Sequence, residues 1–193
     1  MTGVRRTDGV GRTDGVGGVG RTDGVGGVGR TDGVGGVGGV VLRAGRPEDG
    51  VAVAGVFAGA RAEMRYLPAL HSHEEHVAFF STRVLPTSRV TVAEAAGELV
   101  AFSVVKDGWL DHLYVVPAQQ DGGIGGALLG RAMNENPAGL SLWAFAANHR
   151  AIAFYGRAGF VEVLRTDGSG NEEREPDVQM RWDGPAPGGI EDL

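Results

Sequence analysis

The residues best suited to chemistry in this sequence are glycines. In Leu113–Leu129, LYVVPAQQDGGIGGALL, a strand-forming run ends at Pro117, a glycine-rich turn follows, and an apolar helix begins. Glycine lets a main chain approach a ligand closely. The amides from Asp121 to Gly126 can converge on one point, and a helix N-terminus adds partial positive charge there. Such a turn can cradle a pyrophosphate without basic side chains. That suits this chain, because residues 41–193 carry 13 basic against 20 acidic residues. A second cluster, HSHEEH at His71–His76, could suggest a metal site. Its histidines lack the HExxH spacing, however, and Ser72 with Glu75 three residues on reads as a capping box at a helix start. No metal is expected.

The elements that would position these residues follow from periodicity. Val41–Ala44 reads as a first strand. Pro47-Glu48-Asp49 opens a helix in which Val53, Val56, Phe57, Ala60 and Met64 recur at helical spacing. A second helix begins at Ser72 and carries Val77, Phe80 and Val84 on one face. Arg89–Glu94, Leu99–Lys106 and Trp109–Val116 form a meander, turning at Gly97 and at Asp107-Gly108. A helix over Gly123–Asn134, a strand over Leu140–Ala146 and a helix over His149–Ala158 come next. Asn148 is placed as the last helix's N-cap and Gly159 as its stop. Val161–Arg165 and Val178–Trp182 complete the order β-α-α-β-β-β-α-β-α-β-β. The expected class is α/β (α+β): one central mixed, mostly antiparallel sheet of about six to seven strands, with helices on both faces.

Two blocks tie this pattern to a family. Gln120-Asp121-Gly122-Gly123-Ile124-Gly125 resembles the Q/R-x-x-G-x-G/A signature of the GNAT superfamily of N-acetyltransferases. Asn148–Phe160, NHRAIAFYGRAGF, resembles that superfamily's N-x-x-A-x-x-F-Y-x-x-x-G-F segment. The resemblance implies a GNAT fold and acetyl-CoA as co-substrate. Main-chain groups of Leu113, Tyr114 and Val115 would bond the pantetheine arm like an added strand. The amide near Val115 or Val116 would polarise the thioester carbonyl. Gln120 belongs to the signature, and Asp121 with Gly122, Gly123, Ile124, Gly125 and Gly126 would hold the pyrophosphate. Asn148 would bond the pantetheine region, and Tyr155 would protonate the departing thiolate. Where some relatives place a catalytic Glu, this chain has Trp143. The base is therefore left open among Asp111, His112, Glu63 and the His71–His76 cluster. Asp167, Asn171, Glu172, Glu173 and Asp177, between the last two strands, are expected to recruit or orient a cationic amine.

Composition narrows the alternatives. There is no cysteine, so thiol nucleophiles and disulfides are excluded. A net charge of −6 disfavours non-specific nucleic-acid binding. No apolar run has the length of a membrane span and no secretory leader is read, so a cytoplasmic protein is expected. Residues 1–40 repeat RTDGVGGVG, with valine the only apolar residue after Met1, and are expected to form a disordered Gly/Val-rich tail. The domain is expected over residues 41–183, with a second flexible tail at 184–193. The expected activity is acetyl transfer from acetyl-CoA to a primary amine on a small molecule or peptide. The alternatives are an inactive acyl-CoA-binding or sensing module of the same fold and a protein whose repeats are the functional part. A homodimer is compatible with the family resemblance.

Overall fold

The computed structural model describes residues 39–185. The expected repeat tail up to residue 38, and the C-terminal tail from 186, lie outside the described residues. Seven strands form one sheet in the order β1-β2-β3-β4-β5-β7-β6. They are β1 Val40–Ala44, β2 Arg89–Ala95, β3 Glu98–Lys106, β4 Trp109–Val115, β5 Leu140–Phe145, β6 Val161–Arg165 and β7 Asp177–Trp182. β1 starts at Val40, one residue earlier than expected, because Val40 is buried. All neighbours pair antiparallel except β4 and β5, which run parallel. The β3–β4 turn adopts left-handed φ at both Asp107 (48°) and Gly108 (80°), as a two-residue hairpin matched to strand twist requires.

Four principal helices cover the sheet. On one face lie α1 (Gly50–Arg61) and α2 (His73–Phe79). Val53 and Phe57 of α1, with Phe80 just beyond α2, meet Val92, Phe102 and Tyr114 of the sheet. On the other face lie α3 (Ile124–Asn134) and α4 (His149–Arg157). Leu128, Leu129, Ala151 and Phe154 pack there against Leu113, Val115, Leu142 and Val178. The capping box forms as expected: the Glu75 amide donates to Ser72 Oγ (3.2 Å) and the Ser72 amide to the Glu75 carboxylate (2.7 Å).

Two features depart from the regular pattern. The chain beyond Phe79 widens into a π-turn over Phe80–Val84, closed by the Leu85 amide on the Phe80 carbonyl, before a last turn at Leu85–Thr87. Pro86 has no N–H with which to close an ordinary turn there. In β4 the register against β3 shifts between Val104/Val105: Val104 faces His112 while Val105 faces Leu110. Asp111 is thus the extra residue of a β-bulge. Leu110 packs with the α3–α4 side, whereas His112 contacts the rings of the α1–α2 side. The bulge therefore resets which side chains of β4 face which layer.

Candidate active site

β4 and β5 pair at a single register position, Trp109 opposite Ser141, where the Ser141 amide donates to the Gly108 carbonyl (2.9 Å). Beyond it the parallel strands diverge and leave a split. Which main-chain groups face that split is decided by alternation along a strand. The Val116 amide donates to the Val100 carbonyl of β3 (2.9 Å), and Tyr114 stands opposite Phe102 of β3. Tyr114 and Val116 therefore direct their peptide groups at β3, and Leu113 and Val115 direct theirs into the split. This corrects the sequence expectation for Tyr114 and Val116. The Val116 amide is already committed, so of the two candidates for polarising a carbonyl it leaves Val115.

The glycine-rich turn sits at the end of β4. Pro117–Gln119 make one 3-10 turn, then Asp121 (φ 68°) and Gly123 (φ 80°) adopt left-handed conformations, and α3 starts at Ile124. The first amides of a helix have no intrahelical carbonyl, so those of Ile124, Gly125 and Gly126 stand at the turn with the helix's positive end. Ile124 is buried beneath it. The Gln120 side chain donates to the Val115 carbonyl (3.2 Å) and fixes the turn against the strand.

Asp121 does not present a bare charge to this cradle. Arg150, in the first turn of α4, donates to both Asp121 carboxylate oxygens (2.9 and 3.0 Å) and to the Gln120 side-chain oxygen (3.2 Å). Sequence reasoning missed Arg150, since its partners lie 29 and 30 residues away.

From the other side of the split come Asn148 and Tyr155. Asn148 Oδ1 accepts from the Ala151 amide (3.0 Å), so the residue is the N-cap of α4. It also borders a cleft of about 240 Å³ with Gln120 and Arg150 on one wall and Glu63, Met64 and Tyr66 on the other. Tyr155 is fully buried and its hydroxyl has no hydrogen-bond partner. Burial pushes its pKa well above the ordinary tyrosine value, and Tyr114 adds a smaller upward effect. The hydroxyl therefore holds its proton at neutral pH.

The candidate bases separate clearly. His112 is buried among Phe57, Phe80, Phe102 and Tyr114, with neither ring nitrogen hydrogen-bonded. Burial first, and Arg61 second, depress its pKa to about 3, so it is a poor proton acceptor at neutral pH. His71, His73 and His76 line a different pocket. Among the described residues no three His, Asp or Glu side chains are placed to hold a metal ion. Of the four candidates, Glu63 is the one that borders the cleft.

The acidic loop between β6 and β7 also differs from expectation. Glu173 is buried in an ion pair with Arg61 (3.0 Å), and Glu172 meets His71 Nε2 (3.0 Å). Asp177 accepts from Thr166 and Asn171, and Asp167 accepts from the Ser169 amide (2.9 Å). These groups are engaged by the chain's own donors. Glu173 ties the loop to the end of α1, Glu172 ties it to the α1–α2 linker, and Asp177 and Asp167 hold the loop's own turns.

Comparison with known proteins agrees with this geometry. The acetyltransferase (GNAT) domain model matches residues 86–162, from the last turn before β2 to the start of β6, including the glycine-rich turn and α4. Over that stretch the chain is similar to the GNAT superfamily. No curated protein matches the sequence. Among solved structures, the apo form of YjaB from Escherichia coli superposes with a TM-score of 0.62 at 22% identity, covering 76% of this chain and 99% of that one. The ribosomal-protein-S18-alanine N-acetyltransferase from Escherichia coli gives 0.60 at 21% identity, covering 80% and 99%. YncA from Salmonella typhimurium, solved with its cofactor acetyl-CoA, gives 0.59 at 18% identity, covering 78% and 99%. These similarities establish the GNAT fold. Among the described residues, no helix is long and apolar enough to cross a membrane.

Proposed function

We propose that this GNAT domain transfers the acetyl group of acetyl-CoA to a primary amine. The carrying observation is the orphaned hydroxyl of Tyr155, buried on the helix that flanks the split between β4 and β5. A buried hydroxyl without a partner costs about 1–3 kcal/mol, and a ligand in the split would supply one. The rest of the site fits the same co-substrate. The amides at the start of α3 suit a pyrophosphate, and the peptide groups of Leu113 and Val115 suit an extended amide-bearing arm. That one fold relative is described as an N-acetyltransferase and another carries acetyl-CoA supports the same reading.

When bound, acetyl-CoA supplies an activated thioester. The Val115 amide would donate to the thioester carbonyl oxygen in the split. Tyr155 stays neutral and offers its O–H where negative charge develops on a leaving group. Glu63 borders the cleft and is the side chain available to take a proton from an incoming ammonium. With no cysteine in the chain, direct attack by the amine is the simplest route. A cytoplasmic setting fits a polyanionic co-substrate that does not cross membranes unaided. Calorimetry with acetyl-CoA, followed by a mass-spectrometric screen of amine acceptors, tests the proposal. Absence of a binding signal with acetyl-CoA and with CoA would refute it.

A further inference from the structure

The pocket on the far side of the α1–α2 linker differs from the rest of the chain in charge. It encloses about 360 Å³, and its lining contains Arg61, Arg65, His71, His73 and His76 on an otherwise apolar wall. No carboxylate lines it, in a chain of net charge −6. Two guanidinium groups and three imidazoles gathered in one concavity can donate hydrogen bonds to an anion, and the two arginines attract one. The pKa of His76 is lowered by burial first and then by His71, Arg61 and His73.

Two of the five already have an anionic partner from the β6–β7 loop: Glu173 holds Arg61, and Glu172 meets His71. The side chains of Arg65 and His73 make no ion pair or hydrogen bond among the described residues. The pocket neighbours the cleft beside Asn148, since Met64 lines both. Arg61, on the pocket side, also acts electrostatically on Tyr66, on the cleft side.

We infer that this pocket receives the anionic end of the acceptor: the amine acetylated by this domain also bears a carboxylate, which Arg65 and the neighbouring imidazoles bind. The inference rests on the acetyl-transfer reading and narrows its acceptor class. Arg65 is a specificity-determining residue and not part of the acyl-donor site, because it does not border the Asn148 cleft.

Two measurements on the full chain test it. Histidine imidazole resonances are followed by NMR during titration with glutarate and, separately, with the neutral isostere glutaramide. Saturable shifts of His71, His73 and His76 with glutarate alone, weakened about tenfold by Arg65→Ala, are expected. Equal responses to both probes, or none to either, overturn the inference. Initial rates are then compared for 6-aminohexanoate and hexylamine. The carboxylate-bearing amine should be preferred about tenfold in kcat/KM, through KM, and Arg65→Ala should erase that preference while hexylamine turnover stays unchanged. No preference, or one that survives Arg65→Ala, overturns the acceptor role. Failure of acetyl-CoA itself to bind would instead strike the acetyl-transfer reading, leaving the glutarate titration to decide the pocket.

Discussion

Tyr155 and His112 are both aromatic, polar and fully buried, and neither has a hydrogen-bond partner. They sit in different surroundings. His112 is enclosed by the rings between the sheet and the α1–α2 layer. Tyr155 lies in the α3–α4 layer against Phe154 and Phe160, in one apolar cluster with Leu113 and Val115 of β4, and Tyr114 acts on it electrostatically. An unsatisfied buried group costs free energy in either setting. Only a group beside an opening can recover that cost when a ligand arrives. An orphaned polar atom therefore points to chemistry when a cavity adjoins it, and to packing when rings surround it.

The sharpest way to break this contrast is substitution at Tyr155. Tyr155→Phe should lower kcat about a hundredfold and change acetyl-CoA affinity by the one hydrogen bond it removes, about tenfold or less, whereas His112→Phe should leave both largely intact. Steady-state kinetics alongside calorimetry separates the two, and a comparable loss of turnover in both variants would erase the distinction. The next largest effect concerns stability against pH. His112 has a folded pKa of about 3, below its ordinary value near 6.5, so the unfolded chain binds the extra proton first. Its neutral form contributes stability that is fully present above about pH 6.5 and is lost on acidification, by about 1.4 kcal/mol per pH unit, toward the folded pKa. Urea unfolding at several pH values should show that slope, and His112→Phe should flatten it.

A control of intermediate size lies far from both rings. Arg43 donates to both Asp49 oxygens (2.7 and 2.8 Å), and Asp49 also accepts from the Arg46 amide (2.7 Å). Its carboxyl pKa is held below the ordinary range by Arg43 first and then by the Arg46 amide against burial. Asp49→Asn should cost about 1.5–3 kcal/mol at neutral pH. The wild-type advantage is present above pH 4 and should shrink as pH falls through the depressed pKa, which acid titrations of Tm for the two proteins would show. The smallest effect is expected at the exposed Asp121–Arg150 pair. Asp121→Asn should change stability by less than about 1 kcal/mol, yet tighten acetyl-CoA binding several-fold at low salt by leaving Arg150 to a phosphate. Unchanged or weaker binding by calorimetry would show that Arg150 does not serve the cradle.

The sequence reading succeeded where the determining interactions are local. The Ser72–Glu75 box, the Asp107-Gly108 turn, the Asn148 cap and the order of elements along the chain follow from neighbours a few residues apart. It did not reach features set by distant partners. The Arg61–Glu173 pair joins positions 112 apart and turns an expected amine-recruiting carboxylate into a structural tie. The Asp111 bulge is equally silent, because a strand one residue too long looks like any other strand until its partner's register is known. The two-sided allocation of Leu113 to Val116 depends on β3 and could not be read from β4 alone. Pro86 did carry a local signal for the widened turn after Phe79, although the spacing of Phe80 and Val84 masked it.

The single ladder position at Trp109 and Ser141 makes the sheet two half-sheets stitched at one end, four strands on one side and three on the other. Elsewhere along this seam, cohesion comes from the helices behind it and from the covalent path through α3. Whatever occupies the gap bridges the halves as a missing strand would. The molecule's mechanical unity is thus lent in part by its guest, and grip and rigidity should rise together when the seam is filled.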